Sequence, residues 1–135
     1  MARLIDSSAL ITLERQGLSI EAINRLVPYE AGAIASITAS ELLVGVHRAS
    51  TVERQRMREA FVEEVLAHLP VLPFDLPVAR THAWISADLA AAGQTIGVND
   101  LLIAATALTH GHSVLTENLR DFERVPGLVV HRPDW

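Results

Sequence analysis

The chain contains no cysteine and no lysine; all eleven of its basic residues are arginines. Without cysteine there is no disulfide framework and no thiolate metal site, a usage that fits a reducing cytoplasm. Without lysine, several phosphate-handling chemistries fall away. A P-loop needs Gly-Lys-Ser/Thr, and both haloacid-dehalogenase-type phosphatases and receiver domains need a lysine beside their acids. The GxGxxG fingerprint of a dinucleotide-binding fold is also absent. Aromatic residues make up only 4% of the chain. Trp84 and Phe61 stand at amphipathic spacing and read as core or subunit interface rather than as base-stacking platforms. Long apolar runs are missing too. Residues 1–13 are apolar, but Arg3 and Asp6 interrupt them and Glu14 and Arg15 close them, so neither a signal peptide nor a membrane span is expected.

What is present is a chain of 135 residues, half of them hydrophobic, with no linker, repeat or low-complexity tract. A single domain spanning 1–135 is expected, large enough to bury roughly two-thirds of its chain surface. The net charge of −5 gives no sign of a nucleic-acid binder. Short apolar runs at 3–5, 33–37, 71–74, 113–116 and 128–131 predict strands. Between them, helical patterns cover 7–15, 20–26, 38–47, 51–68 and 75–92, then a short turn or helix at 118–124. Leu101 to Leu108 is apolar around its circumference except at Thr106, which predicts a helix buried on all sides. Strands alternating with helices imply a mainly parallel sheet covered on both faces, a three-layer α/β/α domain.

In such a fold, ligands bind beyond the carboxyl ends of the strands. Asp6 directly follows the first strand, Glu41 is expected in the first turn of the helix after the second, and Asp121 follows the strand ending at Thr116. Asp100 opens a helix that leads into a strand, so its end lies over the same edge. Four acids from distant parts of the chain are expected on one rim.

Each has a local alternative. Asp100 suits the N-cap of the buried helix, and Thr38-Ala39-Ser40-Glu41 matches a capping box. Asp6 before Ser7-Ser8 suits an Asx-turn or cap, and Asp121 could cap its own short helix or meet Arg120 and Arg124. Asp75 passes the same topological test, but a cap beside Pro73 and Pro77 explains it. His110-Gly111-His112 reads as a helix stop rather than a metal pair. His47 is too far round its helix from Glu41 to share its face well. Arg54, Arg56 and Arg58, interleaved with acids, read as a solvated face, with contact to a phosphate or a partner as the alternative.

Energetics weigh against mere capping if the acids converge. Two carboxylates about 4 Å apart repel by ~4 kcal/mol at an effective dielectric of ~20, and three such pairs rival a domain's whole ~5–15 kcal/mol stability. Such a cluster holds protons or a cation. Oxygen-only ligands suit Mg²⁺ or Mn²⁺, which lower the pKa of a water and orient a phosphate oxygen for hydrolysis.

At these residues the chain resembles a PIN-domain ribonuclease of the VapC type, the toxin of bacterial toxin–antitoxin pairs. Leu4-Ile5-Asp6-Ser7-Ser8 resembles the first motif, and Ser36-Ile37-Thr38-Ala39-Ser40-Glu41-Leu42-Leu43-Val44-Gly45 the second. Ile96-Gly97-Val98-Asn99-Asp100 with the apolar helix behind it resembles the third. Thr116-Glu117-Asn118-Leu119-Arg120-Asp121-Phe122 resembles the fourth, and the ending with Pro126-Gly127 and Pro133-Asp134-Trp135 is also typical. The resemblance implies a PIN-like fold and a metal-dependent endoribonuclease acting on tRNA or ribosomal RNA. Asp6, Glu41, Asp100 and Asp121 are then its metal-binding acids. Related domains place an acid where this chain has Asn118, so Asn118 and Asp121 both stand as the fourth residue. Thr116 is expected to hold a water or a neighbouring carboxylate. Ser8 either braces Asp6 or simply caps a helix. The resemblance further implies a homodimer and a VapB-type antitoxin bound near the active site. Because the chain is acidic, RNA binding is expected to depend on shape and metal, with a few arginines such as Arg120 and Arg124 near the rim. The competing reading is a PIN fold that has lost catalysis and serves as a protein-binding module, against which retention of the core acids argues.

Overall fold

A computed structural model describes residues 2–17, 19 and 32–134; the helix expected over 20–26 lies outside them. Strands β1 (Arg3–Ile5), β2 (Gly32–Ala35), β3 (Val71–Leu72), β4 (Ser113–Leu115) and β5 (Val130–His131) form one sheet in the order β3-β2-β1-β4-β5. Every pairing is parallel, with Leu4 opposite both Ala33 and Val114. The six helices of the described residues are α1 (Ser7–Arg15), α2 (Ser36–His47), α3 (Val52–His68), α4 (Leu76–Ala91), α5 (Val98–His110) and α6 (Leu119–Phe122).

Successive side chains of a strand point to opposite faces, and the core divides accordingly. Ile5, Ile34 and Leu115 pack with Leu10 and Leu13 of α1, Leu42 and Val46 of α2, and Val62 and Val65 of α3. Their strand neighbours Leu4, Ala33 and Val114 pack on the other face with Val78, Ile85 and Leu89 of α4 and Ile103, Ala104, Ala105 and Ala107 of α5. The result is the expected three-layer arrangement, and the sheet expected to be mainly parallel is parallel at every pairing. A parallel strand buried on both faces reads as a continuous apolar run, as Leu4-Ile5 and Val114-Leu115 do.

The element ends differ from the sequence reading in ways that matter for the site. The second strand stops at Ala35 and α2 begins at Ser36, two residues before the expected start. Thr38 is therefore inside the helix, fully buried, with its hydroxyl unpartnered, and cannot form a capping box with Glu41. The edge strands are shorter than expected. Pro73, which lacks an N–H, follows β3, and β5 is reduced to two residues. Only the second half of α3 is amphipathic; Val62 and Val65 are buried, whereas its first turns stand in solvent. In α5, Thr106 is buried along with the alanines because its hydroxyl donates to the Leu102 carbonyl at 2.8 Å. Leu101, Leu102 and Leu108 are in turn half-buried, so this helix is not enclosed all round. Trp84 is 52% exposed and so does not belong to the core, whereas Phe61 packs against it. Among the described residues, no helix is long and apolar enough to cross a membrane.

Candidate active site

Asp6 sits at the carboxyl end of the central strand and is buried to 4% exposure. It is the N-cap of α1, its Oδ1 accepting from the Ser7 N–H at 2.9 Å. That explains one oxygen. The other, Oδ2, accepts from the Ser8 and Thr116 hydroxyls, each at 2.8 Å. With both hydroxyl protons spent on Asp6, the 3.2 Å approach of Ser8 Oγ to Thr116 Oγ1 is a contact rather than a third bond. The two hydroxyl oxygens accept instead from the backbone N–H groups of Glu117 and Asn118, at 3.1 and 2.9 Å. Backbone dipoles at the end of β4 thus point through two hydroxyls onto one carboxylate. Ser8 braces Asp6 and is more than a helix-opening residue.

Glu41 lies in the second turn of α2 and is held from two other elements. The Ser7 hydroxyl donates to Oε1 and the Asn99 amide to Oε2, both at 3.3 Å. Burial raises the pKa of Glu41, the bond from Asn99 lowers it, and the charge of Asp6 raises it again. The Ser7 bond works with Asn99 to favour the charged form.

Asp100 is not the helix cap. That position belongs to Gly97, and Asp100 occupies the first turn of α5 without bonding its N–H groups. Its Oδ2 accepts from the Asn118 amide at 2.9 Å. Its carboxyl is pushed up to about 7 by burial, then by the charge of Asp6, a hydrogen bond shared with Asp121, and the charges of Asp121 and Glu41. Asp121 does not cap α6, whose N-cap Asn118 makes no side-chain cap bond either. Asp121 turns back instead, its Oδ2 accepting from the Gly97 N–H at 3.5 Å. The four expected acids therefore do feel one another on one rim. Among the described residues none of them is paired with an arginine or histidine.

The rim is spread rather than closed. Among the described residues, no three acids or histidines are gathered closely enough to enclose one ion. Of the two candidates for the fourth position, Asn118 donates to Asp100, while Asp121 adds charge beside it. Arg124 is committed elsewhere, donating to the Thr95 carbonyl, and Arg120 is exposed. Asp75 caps α4 through the Val78 N–H at 3.2 Å, and Gly111 ends α5 in the left-handed conformation at φ 68°, both as expected.

Three participants were not anticipated from the sequence. Ser7 and Asn99 clamp Glu41, and each is the chain neighbour of an acid already singled out. Gly97 carries no such signal. A Cβ there would lie 3.6 Å from Asp100 Oδ2 and 3.9 Å from Asp121 Oδ2, so its bare Cα borders the space between the two carboxylates.

Fold and rim together define an α/β domain with an acidic cluster at the carboxyl edge of a parallel sheet, and this class has known members. The PIN domain profile matches residues 3–128. Ribonuclease VapC1 of Rickettsia felis is 41% identical over 130 residues, spanning 96% of this chain and 95% of that protein. The tRNA(fMet)-specific endonuclease VapC of Salmonella typhimurium is 39% identical over 102 residues, or 76% of this chain and 74% of that one. The crystal structure of DNA-bound VapBC from Salmonella typhimurium contains a chain that superposes with a TM-score of 0.85 at 32% identity, covering 98% of both. The chain belongs to the PIN-domain family and, within it, to the VapC ribonucleases.

Proposed function

We propose that the protein is a metal-dependent endoribonuclease toxin, a single PIN-like domain that hydrolyses phosphodiester bonds in structured RNA such as tRNA or ribosomal RNA. A VapB-type antitoxin neutralises it, and it works as a homodimer. The observation that carries this reading is the gathering of Asp6, Glu41, Asp100 and Asp121 on one rim, where burial first and then the other three acids push Asp100 up to about 7. The donor set is oxygen-only and carries an excess of negative charge, which fits Mg²⁺ or Mn²⁺. When bound, such an ion lowers the pKa of a water and orients a phosphate oxygen.

The chain's own residues prepare that site. Ser8 and Thr116 fix Asp6, Ser7 and Asn99 fix Glu41, and Asn118 fixes Asp100. Outer partners of this kind set the direction in which a ligand carboxylate presents its lone pairs. Asp121, beside Asp100, supplies the fourth carboxylate, and Asn118 acts by orienting its neighbour. The names of the relatives, one specific for tRNA(fMet), support the substrate class. The complexes of VapC-like chains with VapB support the antitoxin.

The test has two arms. Purified protein incubated with tRNA in Mg²⁺ or Mn²⁺ is expected to give discrete fragments that vanish in EDTA. Expression in bacteria is expected to arrest growth, and co-expression of the antitoxin to relieve it. Folded protein that cleaves no RNA with either ion contradicts the proposal.

A further inference from the structure

A second cleft, of about 530 Å³, opens where α2 ends and α3 begins, and three arginines line it: Arg48, Arg54 and Arg58. Among the described residues Glu14 is the one acid in its wall, and Arg58 already pairs with it, Nε to Oε1 at 3.7 Å. Arg54 donates to the Ser50 hydroxyl at 3.3 Å and, among the described residues, Arg48 meets no acid. Among the described residues, two guanidinium charges in one concavity therefore have no acid paired with them, in a chain whose net charge is −5.

This cleft runs on toward the acidic rim. A smaller one, of about 110 Å³, shares Glu14 and Arg58 with it and reaches Glu41. Glu41 and Arg48 are seven residues apart on α2, hence on nearly the same face and roughly 10 Å apart along the axis. Between them Gly45 contributes no side chain, and Arg58 crosses over it, donating to its carbonyl at 3.4 Å. The two clefts thus adjoin at Glu14 and Arg58, with Glu41 and Arg15 in the smaller and Arg48 and Arg54 in the larger.

We propose that the Arg48–Arg54 cleft is a phosphate subsite for the RNA strand, holding a backbone phosphate that neighbours the scissile one. This rests on the nuclease reading. A polyanion whose scissile phosphate lies at the acidic rim must carry its flanking phosphates along the adjoining clefts, and guanidinium forks match phosphate oxygens. It also answers how an acidic chain holds RNA: the cations are concentrated where the strand leaves the rim.

The test is fluorescence anisotropy with a labelled single-stranded RNA, in an Asp100→Asn background that does not consume the probe. The double variant Arg48→Gln/Arg54→Gln is compared with its parent across a salt series, with Arg80→Gln on α4 as the charge control. The double variant is expected to weaken binding on the order of tenfold and to lower the slope of log affinity against log salt by roughly 0.7, the loss of one phosphate contact on a single strand. The control is expected to match the parent. An unchanged slope, or an equal loss in the control, overturns the subsite. So does a double variant that binds RNA normally but escapes the antitoxin, which would make the cleft a peptide site. If the wild-type chain neither cleaves nor binds RNA, the nuclease reading falls and takes the subsite with it; full binding by the double variant removes the subsite alone.

Discussion

Thr116 donates its hydroxyl to Asp6 Oδ2 at 2.8 Å across 110 residues of chain, and both residues are buried. The bond ties the end of β4 to the end of β1, so the sheet itself sets the position of the central carboxylate. The same hydroxyl oxygen accepts from the Asn118 N–H. Replacing Thr116 by Val keeps the shape and removes both bonds. The expected cost is about 1–3 kcal/mol of unfolding free energy in denaturant titration, because a buried carboxylate oxygen and a backbone N–H lose partners. RNA cleavage is expected to fall with it, and Thr116→Ser to restore most of both.

Asn99 offers a cleaner separation of function from stability. Its amide reaches Glu41 from an exposed position, so Asn99→Ala is expected to change stability by less than about 0.5 kcal/mol. Losing a bond that favours the charged carboxylate moves the Glu41 pKa further up. Mn²⁺ binding followed by calorimetry is expected to weaken, more at pH 6 than at pH 8. Equal affinity at both values for variant and wild type contradicts this role.

Gly97 faces the gap between Asp100 and Asp121 with its Cα. Its φ of −58° is open to any residue, so no backbone strain accompanies substitution. Gly97→Ala is expected to fold normally with a modest loss of activity. Gly97→Leu fills the space beside both carboxylates and is expected to abolish metal-dependent cleavage while the melting temperature stays within a few degrees. Full activity in the Leu variant would show that the gap is not used.

The pH dependence of stability follows from Asp100. Its carboxyl is raised from 3.8 to about 7 in the folded protein. Between those values the folded state holds more protons than the unfolded one, so stability falls as pH rises from about 4 to about 7. The raised Glu41 pKa acts in the same direction. Thermal melts in EDTA are expected to show this decline, Asp100→Asn to flatten most of it, and saturating Mn²⁺ to remove it. A metal-free protein that gains stability over that range would contradict the crowding of these acids.

Much of this was legible in the sequence. Leu4-Ile5 and Val114-Leu115 are buried on both faces, and such runs announce a parallel sheet. Topology alone then brings Asp6, Glu41, Asp100 and Asp121 to one edge. The failures are local and share a cause. Thr38 and Asp100 looked like caps because capping is read from residue type at an assumed helix start. The helices begin two or three residues earlier, at Ser36 and Val98, and this moves each residue into its helix. Asp6 shows that the two readings need not compete, since its two oxygens cap a helix and join the site separately. The clamps by Ser7 and Asn99 depend on how α1, α2 and α5 meet, which no local pattern encodes.

Whether these four carboxylates form a metal-dependent nuclease site is decided by cleavage of total bacterial RNA by purified, folded protein free of antitoxin, in Mg²⁺ or Mn²⁺, against EDTA and against Asp100→Asn. The predicted result is discrete fragments from the wild type alone, with Asp100→Asn folded and inactive. Cleavage that survives in Asp100→Asn would contradict the account, because the activity would then come from somewhere other than this rim.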